Sequence, residues 1–309
     1  MHLIRRYSPA VLAQLFWAVN FVVADRVIAE FTPLELTFLR WLGAFPILLL
    51  ITLWIERERG DKWLLAAREW WIHILQAGLG MVGYTLLLYA ALDTTSPVNA
   101  SVISAINPTI IALAAVVVLG ERIRRGGVLG IAVSFVGVVI VVLLGGSAGV
   151  SGVSVAVGDL LMLGTILAWT AYVIISRRIQ TPPITATTVQ VGMSAVMLVP
   201  VVAIVGIQAT PSTEGWWGLA IIIVFPSALA YLLWNVAVRQ LGPSRTGVFL
   251  NLLPVFTAII AVALGDTLTV WQVIGGFVVL AGVFLTTRPG ATVAGDTASV
   301  GPDAERAPS

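Results

Sequence analysis

What most limits this chain is a succession of apolar stretches, each about as long as the roughly 20 residues a helix needs to cross a bilayer. They run over residues 9–29, 34–55, 72–92, 98–119 and 128–144, and then over 158–175, 184–207, 217–238, 247–264 and 270–287. In hydrocarbon every backbone N–H and C=O must be bonded within the protein, so runs of this kind predict helices rather than open strands. The expectation is an all-α integral membrane fold of ten transmembrane helices. The basic start, MHLIRRY, is read as the lead into a retained first helix, because its apolar run is too long for a signal peptide and nine more follow.

Composition agrees and removes several functions. With 59% hydrophobic and 10% charged residues the chain is not a soluble globular domain. A net charge of +2 offers no basic surface for nucleic acid. There are no cysteines and only two histidines, His2 and His73, so thiol chemistry and a zinc-type metal site are not expected. Lys62, the single lysine, stands in RGDKWL and not in a phosphate-cradling glycine loop, so no ATP-driven step is expected. No cofactor is called for; the expected partners are the lipid bilayer and a small-molecule substrate, with no obligatory protein partner.

The two sets of five stretches carry one pattern twice. Pro97 and Pro108 recur as Pro243 and Pro254 at an offset of 146, and Glu121, Gly130 and Gly137 recur as Asp266, Gly275 and Gly282 at 145. Self-similarity at a fixed offset marks an internal repeat, and in a membrane chain it points to a transporter. The expected units are residues 1–145, residues 158–288 and a disordered tail over 289–309.

Arginine placement sets the orientation. Arg5, Arg6, Arg57, Arg122, Arg124, Arg125, Arg177, Arg178, Arg239, Arg245 and Arg288 fall in connections on one side, whereas the opposite connections lack Lys and Arg apart from Arg26. Both termini are therefore expected in the cytoplasm, with the chain multi-pass in the cytoplasmic (plasma) membrane. Five helices per unit is an odd number, so the two units are expected to insert upside down relative to each other, around a central cavity at their interface. Residues 61–71, rich in tryptophan beside charges, read either as a helix lying at the membrane surface or as the start of the third span.

Candidate binding residues follow from polar groups in apolar helices. Trp17 and Asn20 share one face of the first helix, and Trp169 and Tyr172 repeat that spacing in the sixth. Tyr231, Trp234 and Asn235 lie in the eighth helix and Tyr84 and Tyr89 in the third. Arg40 lies inside the second helix, where a charge costs several kcal/mol unless paired or hydrated. It is expected either to hold an anionic group such as a carboxylate, to pair with Asp25 or Glu35, or to snorkel outward; its counterpart in the second unit, Gln190, is neutral. Pro108 and Pro254 each remove a helical hydrogen bond, to Ser104 and Leu250, and mark hinges or kinks with Asn107 and Asn251 beside them. Gly130, Gly137, Gly275 and Gly282 give two helices stripes for close packing.

The stretch LYAALDTTSPVNASVISAINPTIIALAAVVVLGERI with its following paired glycines, repeated in weaker form, resembles the EamA-type members of the drug/metabolite transporter superfamily. The resemblance implies ten helices with both ends inside, a cavity lined by helices 1, 3, 4, 6, 8 and 9, and export of small metabolites such as amino acids. It makes Trp17, Asn20, Trp169, Tyr172 and Trp234 cavity candidates. The leading expectation is thus a non-enzymatic exporter of an amino acid or aromatic compound, working by alternating access without ATP. A sugar-phosphate or nucleotide-sugar exchanger would want several inward cations, and a membrane-embedded enzyme would need a charged or nucleophilic cluster at one membrane face, which the sequence does not display; a non-transporting membrane scaffold is the remaining alternative.

Overall fold

The computed structural model describes residues 2–58, 60–119, 122–123, 125–144, 156–176, 178–241, 248–287 and 292–293. Among them regular structure is helical, save for one two-residue antiparallel pairing of β1 (Arg122–Ile123) with β2 (Thr292–Val293). The rest of the tail from 289, together with Glu121 and Pro243 of the repeated pattern, lies outside the described residues.

Helix α1 (His2–Val27) leads to α2 (Pro33–Ile55) through a short turn. The start of α2 is fixed by a capping box: the Thr32 side chain accepts from the Glu35 N–H, and the Glu35 carboxylate accepts from the Thr32 N–H at 2.8 Å. Pro33 at its first position gives up a donor that would otherwise go unpaired. A short helix α3 (Lys62–Arg68) precedes α4 (Trp70–Gln76), and Trp63, Trp70 and Trp71 around that junction are exposed.

The third apolar stretch is interrupted: α4 passes through a π-helical segment, Ala77–Gly83, into α5 (Tyr84–Leu92). The fourth is in two pieces, α6 (Pro97–Ser104), capped by Ser96, and α7 (Asn107–Leu119). The break falls at Ala105 and Ile106, one step before the expected Asn107–Pro108, because proline fits the first turn of a helix, where its missing N–H goes unused. Then come α8 (Arg125–Leu144), α9 (Val157–Ser176) and α10 (Pro183–Val205). The eighth stretch is α11 (Thr213–Ile222), a second π segment, Ile223–Leu229, and α12 (Ala230–Leu241). A 3-10 turn, Val248–Asn251, opens α13 (Leu252–Ala263), and α14 (Val270–Thr287) ends the bundle.

Among the described residues six helices are long and apolar enough to cross a membrane: Tyr7–Val27, Pro33–Ile55, Trp70–Leu92, Val157–Ser176, Pro183–Val205 and Thr213–Ala237. Three shorter apolar helices, Gly126–Val141, Phe249–Ala263 and Val270–Leu285, accompany them. Large apolar side chains such as Leu50, Trp54, Leu167, Ile204 and Phe277 are exposed around the outside, an arrangement suited to lipid and unsuited to water.

Among the described residues the most extensive helix pairing is α8 with α14. A side chain on Gly282 would stand 2.3 Å from the Ser134 N and 2.7 Å from the Gly130 O, and one on Gly137 would stand 2.8 Å from the Gly275 O. The four glycines thus let two backbones touch, the usual way helices gain contact where no hydrophobic force drives them together. Pairs α2–α10, α5–α9 and α1 with α12 and α13 build the rest around α1.

Candidate functional site

The two π segments organise the centre. Ala77–Gly83 and Ile223–Leu229 begin 146 residues apart, the spacing that also separates Pro108 from Pro254. A π turn disturbs the regular ladder and makes backbone carbonyls available to outside donors. Each segment here receives an indole, since a buried Trp N–H needs an acceptor. The Trp41 Nε1–H donates to the Met81 carbonyl at 3.2 Å, and the Trp17 Nε1–H donates to the Pro226 carbonyl at 3.2 Å.

Between these anchors lies a cavity. Its walls are Trp17, Asn20 and Phe21 of α1, Arg40 of α2 and Tyr84 of α5, opposite Trp169 of α9 and Tyr231 of α12. Ser104 and Asn107, on either side of the break in the fourth stretch, close one end with Leu250 and Leu253 of the ninth. It offers about 40 Å³ to the centres of water molecules, room for roughly three. In this state a metabolite fits only if the aromatic walls part.

Those walls are mutually packed. The Trp17 ring meets Trp169 edge-on at 6.1 Å, Tyr231 edge-on at 5.5 Å and Trp234 at 5.4 Å between centroids. Tyr84 packs on Trp169 at 5.4 Å, and Trp169 stacks on Tyr172 at 5.1 Å. Such offset and edge-on pairs place positive ring edges on negative faces, and they present flat apolar surface to a ligand.

Arg40 is the electrostatic centre of the cavity, with only 2% of its surface exposed. Its Nη1 donates to the Tyr89 hydroxyl oxygen at 2.6 Å and to Asn20 Oδ1 at 3.2 Å, and its guanidinium lies 4.5 Å from the centre of the Trp41 ring. None of these partners is charged, and among the described residues no carboxylate is in ion-pair reach of it. Glu35 is committed elsewhere: it caps α2 and accepts from the N–H groups of Gln208 at 2.6 Å and Ala209 at 2.9 Å. Arg40 Nε, Ser104 Oγ and Asn107 Oδ1 are buried without a hydrogen-bond partner. A buried cation without a counter-charge, beside unpaired acceptors, is chemistry left open for a ligand carrying an anionic group and a donor.

Of the residues named from sequence, Trp17, Asn20, Arg40, Tyr84, Asn107, Trp169 and Tyr231 line the cavity. Tyr89 lies one layer out, holding Arg40 and donating to Asn20 Oδ1 at 3.2 Å. Tyr172 and Trp234 back the lining rings, the Tyr172 hydroxyl donating to Gln190 Oε1 at 3.3 Å. Asn235 is turned away and donates to Thr187 Oγ1 at 2.8 Å, joining α12 to α10. Asn251 sits in the turn before α13 with its Oδ1 unpaired. Phe21, Ser104, Leu250 and Leu253 were not singled out as lining; Ser104 and Leu250 stand four residues before Pro108 and Pro254, which was the available signal.

Comparison with known proteins gives a consistent result. Residues 7–143 and 156–288 match the EamA-like transporter family. An uncharacterized transporter of Bacillus subtilis, YyaM, is 31% identical over 274 residues, 87% of this chain and 89% of its own. One from Archaeoglobus fulgidus is 30% identical, covering 89% of this chain and 95% of its own. The aromatic amino acid exporter YddG of Ancylobacter novellus is 25% identical over 204 residues, 63% of this chain and 67% of its own. A solved structure, described only as the crystal structure of a protein, superimposes with a TM-score of 0.67 over 92% of this chain and 96% of its own at 20% identity, a likeness of fold alone.

Proposed function

Because this chain belongs to the EamA-like transporter family, we propose that it moves a small organic metabolite with one anionic group and a flat apolar part, such as an aromatic amino acid, out of the cell. Transport proceeds by alternating access, without ATP hydrolysis. The observation that carries this reading is Arg40, a buried cation without a carboxylate partner, set in a cavity walled by Trp17, Tyr84, Trp169 and Tyr231. A substrate carboxylate supplies the missing counter-charge through a charge-assisted hydrogen bond. Ser104 Oγ and Asn107 Oδ1 accept from its ammonium, and the rings hold its side chain.

The scaffold for this cycle is ten helices in two inverted five-helix units, over residues 1–145 and 158–288, with both termini cytoplasmic. In support stand the charge asymmetry of the connections and the 146-residue spacing shared by the two π segments and the two prolines. Two polar pairs also correspond: Arg40 with Asn20 in one unit, Gln190 with Tyr172 in the other, at offsets of 150 and 152. A phosphorylated substrate is disfavoured, because Arg40 is the one cation among the lining residues. The test is flux in liposomes of purified protein, comparing radiolabelled phenylalanine, tryptophan and small aliphatic amino acids with their decarboxylated amines. Preference for the carboxylates supports the reading; equal flux of the amines would overturn the role of Arg40, and flux of none the substrate class.

A further inference from the structure

The geometry points to a proton-binding site at His73, whose occupancy is passed by Gln190 to the aromatic wall of the cavity, making the hold on substrate depend on pH. The inference rests on the transporter reading for its purpose but not for its chemistry.

His73, on α4, is fully buried. Its Nε2 lies 3.1 Å from Thr181 Oγ1, and the Thr181 hydroxyl donates to the Glu69 carboxylate at 2.6 Å. Thr181 has one hydroxyl hydrogen and spends it on Glu69, so it accepts from His73 and Nε2 carries the imidazole hydrogen. On the other side Gln190 Nε2 lies 3.4 Å from His73 Nδ1, and Gln190 Oε1 accepts from the Tyr172 hydroxyl at 3.3 Å. Every hydrogen in this chain, from Tyr172 through Gln190, His73 and Thr181, points toward Glu69. Tyr172 in turn stacks on Trp169, which lines the cavity.

An added proton has one place to go. Nε2 is already hydrogenated, so a proton from solvent binds Nδ1 and converts the ring to imidazolium. Nδ1–H then faces the Gln190 amide nitrogen, donor against donor. Relief comes by rotating the amide half a turn, which brings Oε1 to Nδ1 and Nε2 to the Tyr172 oxygen. The Tyr172 hydroxyl loses its acceptor and must aim its hydrogen elsewhere, which disturbs the ring stacked on Trp169 of the cavity wall. Loss of the proton reverses each step. A substrate held against that wall then binds with an affinity that depends on the proton, and by linkage it changes the proton affinity by the same factor.

Two opposing effects act on the imidazole: burial works against a charge on it, and a neighbouring carboxylate works for it. Glu69 Oε2 lies 3.9 Å from His73 Nε2 and is the carboxylate facing it. Burial would raise the Glu69 carboxyl, but donation by the Thr181 hydroxyl and by the N–H groups of Gln180 and Thr181, with His73 nearby, holds it below the usual carboxylate range. Glu69 is thus an anion at neutral pH, ready to pair with imidazolium. Among the described residues, the other elements packed on α4 add no competing charge: α10 and the segment Ala77–Gly83 have no charged residue, α9 offers Tyr172, and Asp159 sits at its far end. Arg68 of α3 and Arg178 are exposed, and Lys62 donates to the Glu56 carbonyl. Glu56, also buried, accepts from the N–H and hydroxyl of Thr185 and belongs to another junction.

The test needs no substrate. In the His2→Ala variant His73 is the sole imidazole, and ¹⁵N spectra of histidine-labelled protein in lipid nanodiscs follow it from pH 5 to pH 9. The expected result is an Nε2–H neutral ring at high pH that gains a proton on Nδ1 within this range, with proton affinity falling about ten-fold or more in Glu69→Gln. With 3-fluorotyrosine in place of tyrosine, the ¹⁹F signal missing from Tyr172→Phe should shift at the His73 midpoint, and in Gln190→Leu it should stay still while His73 still titrates. A His73 ring that stays neutral throughout, or a Tyr172 signal indifferent to its titration, overturns the proposal. Absence of flux in liposomes would instead overturn the transporter reading and leave these spectra standing.

Discussion

Replacing Arg40 by glutamine separates a ligand from a strut. In the folded chain the guanidinium keeps bonds to Tyr89 and Asn20 and a cation–π contact with Trp41, but among the described residues it has no anion beside it. A buried ion without a counter-ion carries a desolvation penalty of several kcal/mol, which neutral partners offset only in part. Glutamine keeps an amide donor for Asn20 and removes that penalty, and Tyr89 still has Asn20 Oδ1 as its acceptor. The melting temperature of the substrate-free protein in detergent should therefore hold or rise. Binding of a carboxylate substrate loses a hydrogen bond to a charged group, worth about 1.5–3 kcal/mol, or roughly 10–150-fold in affinity. The decarboxylated amine never used that bond and should bind Arg40→Gln as well as, or better than, the unaltered protein, the repelling charge being gone. The assay is liposome flux for phenylalanine and phenethylamine side by side, with thermal unfolding of the same preparations. A fall in melting temperature with an unchanged ratio of the two fluxes would refute the argument and make Arg40 a structural residue of the α1–α2–α5 contact.

Three more outcomes follow from the packing and the topology. Gly282→Ala drives a methyl into the Ser134 backbone at 2.3 Å, so α8 and α14 must separate; a cost of about 1–3 kcal/mol should lower the melting temperature, whereas Gly126→Ala, with nothing within 4 Å, should leave it alone. Trp17→Ala opens a hole between Trp169, Tyr231 and Trp234 and should cost about 3–5 kcal/mol of stability; Trp17→Phe keeps the ring contacts, losing only about 1 kcal/mol with the bond to the Pro226 carbonyl, and its effect on substrate affinity should be non-additive with that of Trp169→Phe. Since the chain has no cysteine, a lone Ser212→Cys should react with an impermeant thiol reagent on intact cells and Gly126→Cys should not; labelling of the latter from outside would sink the inverted arrangement.

How far sequence reaches is visible residue by residue. Helical membrane character, the position of the apolar stretches, the central aromatic faces of Trp17 and Trp169, and the discomfort of Arg40 were all legible, because each is a local property of composition and of the 3.6-residue period. Membership of the family was equally legible, because spacing of prolines and glycines survives where other residues drift. The two π segments were not: nothing in AGLGMVG or IVFPSAL separates a π turn from an α turn, and the extra residue is held by indole donors from Trp41 and Trp17, one of them 209 positions away. Nor was the choice at Arg40 legible, since Asp25, Glu35 or a ligand satisfied the sequence equally until the fold gave Glu35 to the backbone of residues 208 and 209. His73 entered the sequence reading only as one of two histidines too few for a zinc-type site. Only tertiary packing joins it to Glu69 on one side and, through Gln190 on a helix more than a hundred residues away, to Tyr172 on the other. Periodicity tells which side of a helix is apolar or polar; which distant group meets a polar atom there depends on how the helices are set against one another, and that was decided by the fold.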